Sequence, residues 1–319
     1  MSLIAAPQGK ITTGPHGQML LRPQPGLQLQ FRPAPHLMGR AFNSKCALCP
    51  NNYIFPPQEI DSIGNGPQKA RCISIEHTPD GVTPGHQIVI PTPKHNIPFS
   101  VLSKAELIAN FTLISRAYAR IRNAPGIRYV HGLTKEDLLP NNPTNHPHTH
   151  IIGSHEINGS ILAASKMLQH GSCYFCQMHP KALNPYAASA AKNIWAENED
   201  FVALCPPDAQ FEYQVSLISR KHISSFDSMS ARALESLAEI FKLVTGALDK
   251  ITGFAPLKIR YFSTHPAKGP EFHFHLAITP RIVPYWDPKN KPKDFAILIA
   301  PPEQRAQELE AAALTLKSS

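Results

Sequence analysis

The sequence predicts an α+β fold built from two tandem copies of one unit, each an antiparallel, strand-rich sheet with one long helix packed on it. Three observations predict it. Two CxxC pairs, Cys46-Ala-Leu-Cys49 and Cys173-Tyr-Phe-Cys176, lie 127 residues apart. Two Lys-His pairs at the ends of apolar strands, Lys94-His95 and Lys221-His222, repeat at that offset, and so do two HxH segments, His146-Pro-His148 and His273-Phe-His275. Self-similarity at a fixed period is the mark of a duplicated architecture.

Each element follows from its residues. Residues 1–41 are rich in Pro, Gly and Gln with little periodicity, which predicts an irregular arm laid over the surface. The first unit, residues 42–160, contains the strand "GHQIVIPTP", which runs up to His95. Ser103 and Glu106 then form a capping box, and Leu107, Phe111, Ile114, Tyr118 and Ile121 follow at helical spacing. A short linking helix is expected between about Asn158 and Gly171. The second unit, residues 161–319, repeats the strand as "FEYQVSLISR" and the helix from Ser230, with Leu234, Leu237, Phe241, Val244, Leu248 and Ile251 on its inner stripe and Gly253 as its stop. In "FHFHLAITP" the alternation places Phe272, Phe274 and Leu276 inside and His273 and His275 on the opposite face. "IRY" occurs at Ile127 and at Ile259, an offset of 132 that implies compensating insertions around it.

With 42% hydrophobic and 17% charged residues the chain is globular. No apolar run approaches the roughly 18 residues of a membrane helix, and the first residues carry no targeting pattern, so a soluble, cytoplasmic protein is expected. A net charge of +8 favours anionic partners. The cations are scattered rather than arrayed along a helix, which disfavours nucleic acid.

The cysteines narrow the chemistry. Two CxxC pairs in an intracellular chain point to metal before disulfides, and neither has the strand-then-helix context of a redox motif. Two thiolates and two imidazoles make a closed tetrahedral set for zinc. Cys46, Cys49, His95 and His146 supply one set, and Cys173, Cys176, His222 and His273 supply a second at the same spacings. Four protein ligands leave no position for water, so both zinc sites are expected to be structural. The histidines left over carry the catalytic question. His146, His148 and His150 alternate, which gathers three imidazoles on one side of an extended segment.

These residues resemble a known family. "CALCPNNYIFPPQEI" is similar to the zinc-binding segment of galactose-1-phosphate uridylyltransferases, and "HPHTHII" to their HPHxQ active-site segment. "NIWAENEDFVALCPPDAQFEYQVSLISRKHISSF", "HFHLAITPRI" and "PPEQRAQELEAA" resemble their second repeat, so the likeness covers roughly residues 40–315. It implies duplicated histidine-triad-like units, as in the related ADP-glucose phosphorylase with its two zinc sites. It also implies that His148 is the nucleophile, attacking the α-phosphorus of a nucleotide substrate to form a nucleotidylated histidine that a phosphate acceptor then discharges. The substrate expected on this resemblance is a sugar nucleotide or similar nucleoside diphosphate compound, and the likeness allows a homodimer.

Three departures separate the chain from that pattern. His150 stands where the family has Gln, "NNPTN" replaces the small residues before HPH, and "PYWDPKNKPKDF" replaces a late glycine-rich segment. His150 can hydrogen-bond a phosphoryl oxygen as Gln would, or assist the leaving group. The resulting HxHxH pattern is similar to that of histidine-triad hydrolases, so a hydrolase or phosphorylase of dinucleoside polyphosphates stays open, as does a non-catalytic zinc scaffold that binds nucleotides. His275 is the second-half counterpart of His148 and a candidate phosphate ligand. Ala277 replaces the third imidazole there, and His265 reads as a loop residue.

Overall fold

A computed structural model describes residues 9–13, 19–23, 46–50, 58–65, 69–75, 85–136, 146–157, 173, 175–178, 185–264, 272–282, 297–298 and 300–317. Strands β1 (Gly9–Thr13) and β2 (Met19–Pro23) form a hairpin, and β13 (Ile297–Leu298) joins β2 in parallel. The irregular arm expected for residues 1–41 is therefore corrected at these ten positions. "GKITT" and "MLLRP" are short β-prone runs set between Gly and Pro, and a reading by bulk composition passes over them.

The main body is one ten-stranded sheet, and every pairing in it is antiparallel. Its first five strands are β3 (Gln58–Ile63), β4 (Ala70–Ser74), β5 (His86–Ile90), β6 (Tyr129–Lys135) and β7 (Thr149–Ser154). The second five are β8 (Ile194–Glu197), β9 (Phe201–Leu204), β10 (Val215–Ser219), β11 (Leu257–Phe262) and β12 (His275–Pro280). Outward from the centre the order is β6, β7, β5, β4, β3 on one side and β11, β12, β10, β9, β8 on the other. The duplication thus survives as a mirrored strand order. The central pair is in register with Leu133 opposite Arg260, residues 127 apart.

That register also corrects the "IRY" equivalence. Tyr129 packs with Phe272 in a small cluster, whereas Tyr261 lies in the main core. Tyr261 answers instead to Thr134, 127 residues earlier, and the two hydroxyls meet at 3.5 Å. The shared tripeptide is a coincidence of sequence, because strand alternation sends its two tyrosines to opposite faces.

Two helices cover one face. α1 (Lys104–Arg122) starts at the Ser103 capping box, with both of its bonds formed. A short helix, α2 (Pro185–Lys192), precedes β8. α3 (Ala231–Thr252) starts at Ser230 and stops at Gly253, whose φ of 64° is a left-handed conformation that glycine adopts without strain. α4 (Pro302–Lys317) packs on α3 and β8, where buried Arg305 bonds Glu212 and Glu308. The apolar stripes of α1 and α3 merge into one core spanning both halves of the sheet. Phe226 is its hub, fully buried against Phe111, Tyr118, Tyr261 and Phe274. Truncating such a side chain to Ala costs about 3–5 kcal/mol. Gly132 admits Tyr261 at the centre, since a Cβ there would lie 2.8 Å from the ring.

Among the described residues, α1 and α3 pack on one face of the central strands, and the alternating histidines His148 and His150 lie on the other. No helix among the described residues is long and apolar enough to cross a membrane.

Candidate active site and metal centres

Both Cys/His sets expected from the sequence assemble. In each, one atom from every residue lies within 4.8 Å of the others. In the first set, Cys49 Sγ lies 3.4 Å from His95 Nδ1 and 3.5 Å from His146 Nδ1, and Cys46 Sγ lies 4.0 Å from His146 Nδ1. In the second, Cys173 Sγ lies 3.3 Å from His273 Nδ1, and Cys176 Sγ lies 3.3 Å and 3.4 Å from His222 and His273 Nδ1. An ion bound tetrahedrally by thiolate and imidazole at zinc-like bond lengths holds its ligands roughly 3.5–3.8 Å apart, so both sets fit one.

The strands explain the aim of the rings. His146 Nε2 donates to the carbonyl of Thr92 at 2.8 Å, and His273 Nε2 donates to that of Ser219 at 2.6 Å. Each bond fixes the tautomer that leaves Nδ1 bare toward the thiols, as a ligating imidazole needs. The environments differ. All four residues of the first set are buried, whereas Cys176 and His222 of the second are exposed. Burial pushes the Cys46 thiol up to about 11 and His146 down to about 4. Such a pocket disfavours net charge, and a divalent cation with two thiolates has none. Arg71, buried beside the first set, donates to the Leu48 carbonyl at 2.8 Å inside the CxxC turn.

Beside the first set lies a chain of imidazoles. His148 Nδ1 meets the His146 carbonyl at 2.6 Å, His148 Nε2 lies 3.0 Å from His150 Nε2, and His150 Nδ1 lies 2.8 Å from His86 Nε2. A carbonyl only accepts, so His148 carries its proton on Nδ1 and its Nε2 is a bare lone pair. His150 must then donate from Nε2 and accept at Nδ1, and His86 must donate from Nε2. One carbonyl thereby sets three tautomers. Burial keeps all three rings neutral, lowering His86 and His148 and holding His150 at about 4. The result is a nucleophilic nitrogen at the edge of the metal set with an N–H donor beside it.

No family model matches the chain. A galactose-1-phosphate uridylyltransferase of Thermotoga maritima is 30% identical over 88 residues, which are 26% of this chain and 28% of that protein. The chain thus matches little more than a quarter of that relative's length. Solved structures match along nearly the whole chain. An ADP-glucose phosphorylase from Arabidopsis thaliana, solved with bound ADP-glucose, superposes with a TM-score of 0.70 at 15% identity over 95% of this chain and 99% of its own. A uridylyltransferase mutant gives 0.67 at 18% identity over 96% and 98%. A GalT-like protein from Arabidopsis thaliana gives 0.68 at 16% identity over 84% and 92%. The chain has the uridylyltransferase fold.

Among the described residues the second half lacks the imidazole chain. His275 repeats the bond of His148, its Nδ1 donating to the His273 carbonyl at 3.1 Å. Its ring is packed among Phe262, stacked at 4.7 Å and 15°, Phe175 at 5.1 Å and Phe272 at 5.5 Å. Burial pushes it down to about 4. Ala277 sits where His150 does in the first half. His265, the linking helix, "NNPTN" and "PYWDPKNKPKDF" fall outside the described residues.

Sequence reasoning missed His86 and Arg71. His86 alternates with Ile88 and Ile90 on β5, which gives its face. What brings it to His150 is the pairing of β5 with β7, Ile88 opposite His150, across a separation the sequence leaves open.

Proposed function

We propose that the protein is a nucleotidyltransferase that moves a nucleoside monophosphate between a sugar nucleotide, or a similar nucleoside diphosphate compound, and a phosphate acceptor through a nucleotidylated His148. The observation that carries this reading is the bare Nε2 of His148, held by the Nδ1 bond to the His146 carbonyl. The lone pair attacks the α-phosphorus, the bond from phosphorus to the bridging oxygen breaks, and its electron pair leaves with the sugar phosphate. The proton stays on Nδ1, and its hydrogen bond to the His146 carbonyl steadies the positive charge of the substituted ring. An oxygen of the acceptor phosphate then attacks phosphorus and returns the pair to Nε2.

His150 is freed from His148 once that nitrogen is substituted. Its Nε2–H then donates to the phosphoryl oxygen on which charge develops. His86 keeps that tautomer in place and is a positioning residue. The two Cys/His sets hold zinc, which supplies folding free energy and anchors the segments around His146 and His273. His275 lies on the phosphate-binding side of the same sheet face. The two repeats, residues 42–160 and 161–319, divide into a catalytic unit and a supporting one.

His150, in place of a glutamine, favours one second reading, a dinucleoside polyphosphate hydrolase or phosphorylase. Incubation with UDP-hexose, ADP-hexose and diadenosine polyphosphate, read by intact mass and product release, separates the two. A transferase holds a nucleotidyl adduct until phosphate or sugar phosphate is added. A hydrolase turns over in water alone. Neither adduct nor turnover with any of the three overturns both.

A further inference from the structure

The face that carries His148 and His150 continues across the central strands, and there it is strongly cationic. Leu133 on β6 is paired with His150 on one side and with Arg260 of β11 on the other. Lys135 follows Leu133 by two residues and is paired with Lys258. Directly opposed residues of an antiparallel pair, and residues two apart on one strand, share a face. Lys135, Lys258 and Arg260 therefore stand together on the side opposite α1 and α3, next to the histidines, and all three are exposed.

This arrangement is costly on its own. Like charges directly opposite each other destabilise a sheet, and Lys135 and Lys258 sit on the two strands that join its halves. None of the three makes an ion pair among the described residues. Arg260 has an aromatic contact instead: its guanidinium lies 5.3 Å over the Phe262 ring, which also stacks on the His275 imidazole. That stack holds Arg260 against the sheet. An anion on this face is met by the three cations.

We propose that Lys135, Lys258 and Arg260 form the subsite for the dianionic phosphate that leaves from, or discharges, the nucleotidylated His148. The placement fits in-line displacement. Thr149 is paired with Thr134, which brings Lys135 level with His148 one strand away, about 5 Å between backbones. A phosphate over Lys135 and Lys258 lies one strand spacing from the nucleophile, within reach of the far side of an α-phosphorus held at His148. Its charge also removes the repulsion between the two ammonium groups. Two sources share this chemistry, inorganic phosphate and a sugar phosphate. The subsite rests on the nucleotidyl-transfer reading for its role in the reaction, although not for its ability to bind phosphate.

The test uses the full-length, metal-loaded protein. Inorganic phosphate and a hexose 1-phosphate are titrated separately at constant ionic strength, read by ³¹P line broadening and by the shift in melting temperature. Wild type and His148→Ala should bind at least one of them equally well, and which one binds names the acceptor class. Lys135→Gln, Lys258→Gln and Arg260→Gln should each weaken binding about tenfold. Without phosphate, Lys258→Gln should melt no lower than wild type, because it removes one of two opposed charges, so weak binding cannot be put down to misfolding. Absence of binding to wild type, or unchanged binding in all three variants, overturns the subsite even if His148 forms its adduct. Binding that depends on the three cations in a protein that never forms an adduct keeps the subsite and overturns nucleotidyl transfer instead.

Discussion

The two halves of the sheet hold the same metal-ligand positions and place different chemistry beside them. In both, a histidine of HxH bonds a carbonyl at the end of a neighbouring strand and turns Nδ1 toward two cysteines. In both, the next histidine bonds the carbonyl two residues back. The first half then adds His150 and His86 as a hydrogen-bonded chain, whereas the second has Ala277 and packs His275 among three phenylalanines. The lesson is that backbone geometry alone prepares an imidazole. Whether that imidazole becomes a nucleophile depends on what its neighbours can donate.

The largest effect expected from this comparison is catalytic. His148→Ala should lower turnover by about 10⁴-fold, the scale on which enzymes lose rate with their nucleophile. His275→Ala should stay within roughly tenfold of wild type, since its role is limited to substrate binding. Equal losses in steady-state assays would erase the distinction between the halves.

The metal sets should differ next. Cys46→Ser disrupts a buried set and should cost several kcal/mol, seen as a large drop in melting temperature together with one metal equivalent. Cys176→Ser opens a set already half exposed, and its loss of stability should be smaller. A chelator followed by metal analysis should strip the second set first. Simultaneous release of both ions would contradict the contrast in burial.

A third effect belongs to the seam between the halves. Glu136 follows β6 and accepts backbone N–H bonds from Phe99 at 2.6 Å and Leu257 at 2.8 Å, yet burial still pushes it up to about 8. Burial likewise pushes Asp249 of α3 from an ordinary 3.8 up to about 7. Each carboxyl has a folded value above its unfolded one, so in the window between the two the folded protein keeps a proton the unfolded chain has released. Stability therefore falls as pH rises through that window and the contribution is gone above about pH 8. Asp249→Asn removes one titrating group and should flatten the fall between about pH 4 and pH 7 by roughly 4 kcal/mol, measured by urea denaturation. An unchanged slope would show that Asp249 ionises normally.

The smallest effect sharpens the imidazole chain. His150→Gln restores a neutral amide donor, and it should keep adduct formation and reduce any leakage to water. His86→Ala should lower the rate of adduct formation by about tenfold, since it frees the tautomer of His150 without removing a reacting group. A His150→Gln variant that leaked faster than wild type would assign the imidazole a different part.

Much of this was legible in the sequence. The two Cys/His sets and the alternation of His146, His148 and His150 were readable because metal spacing and strand alternation are local. The caps of α1 and α3 were readable because Ser103, Glu106, Ser230 and Gly253 act within one helical turn. Two contacts were not. His86 meets His150 only through the pairing of β5 with β7, and Lys135 faces Lys258 only through the pairing that joins the two halves. Long-range register of that kind leaves no local trace. "IRY" misled for the reverse reason, a local match whose strand parity differs between its copies.

The most direct test of the account is to locate the nucleotidyl group. The metal-loaded protein is mixed with the nucleotide sugar that turns over, quenched in alkali to preserve a phosphorus–nitrogen bond, digested and sequenced by mass spectrometry. The account predicts one nucleoside monophosphate on the peptide that contains His148, absent from His148→Ala although that variant keeps both metal equivalents and its melting temperature. A modification elsewhere, or an adduct that survives in His148→Ala, would contradict it.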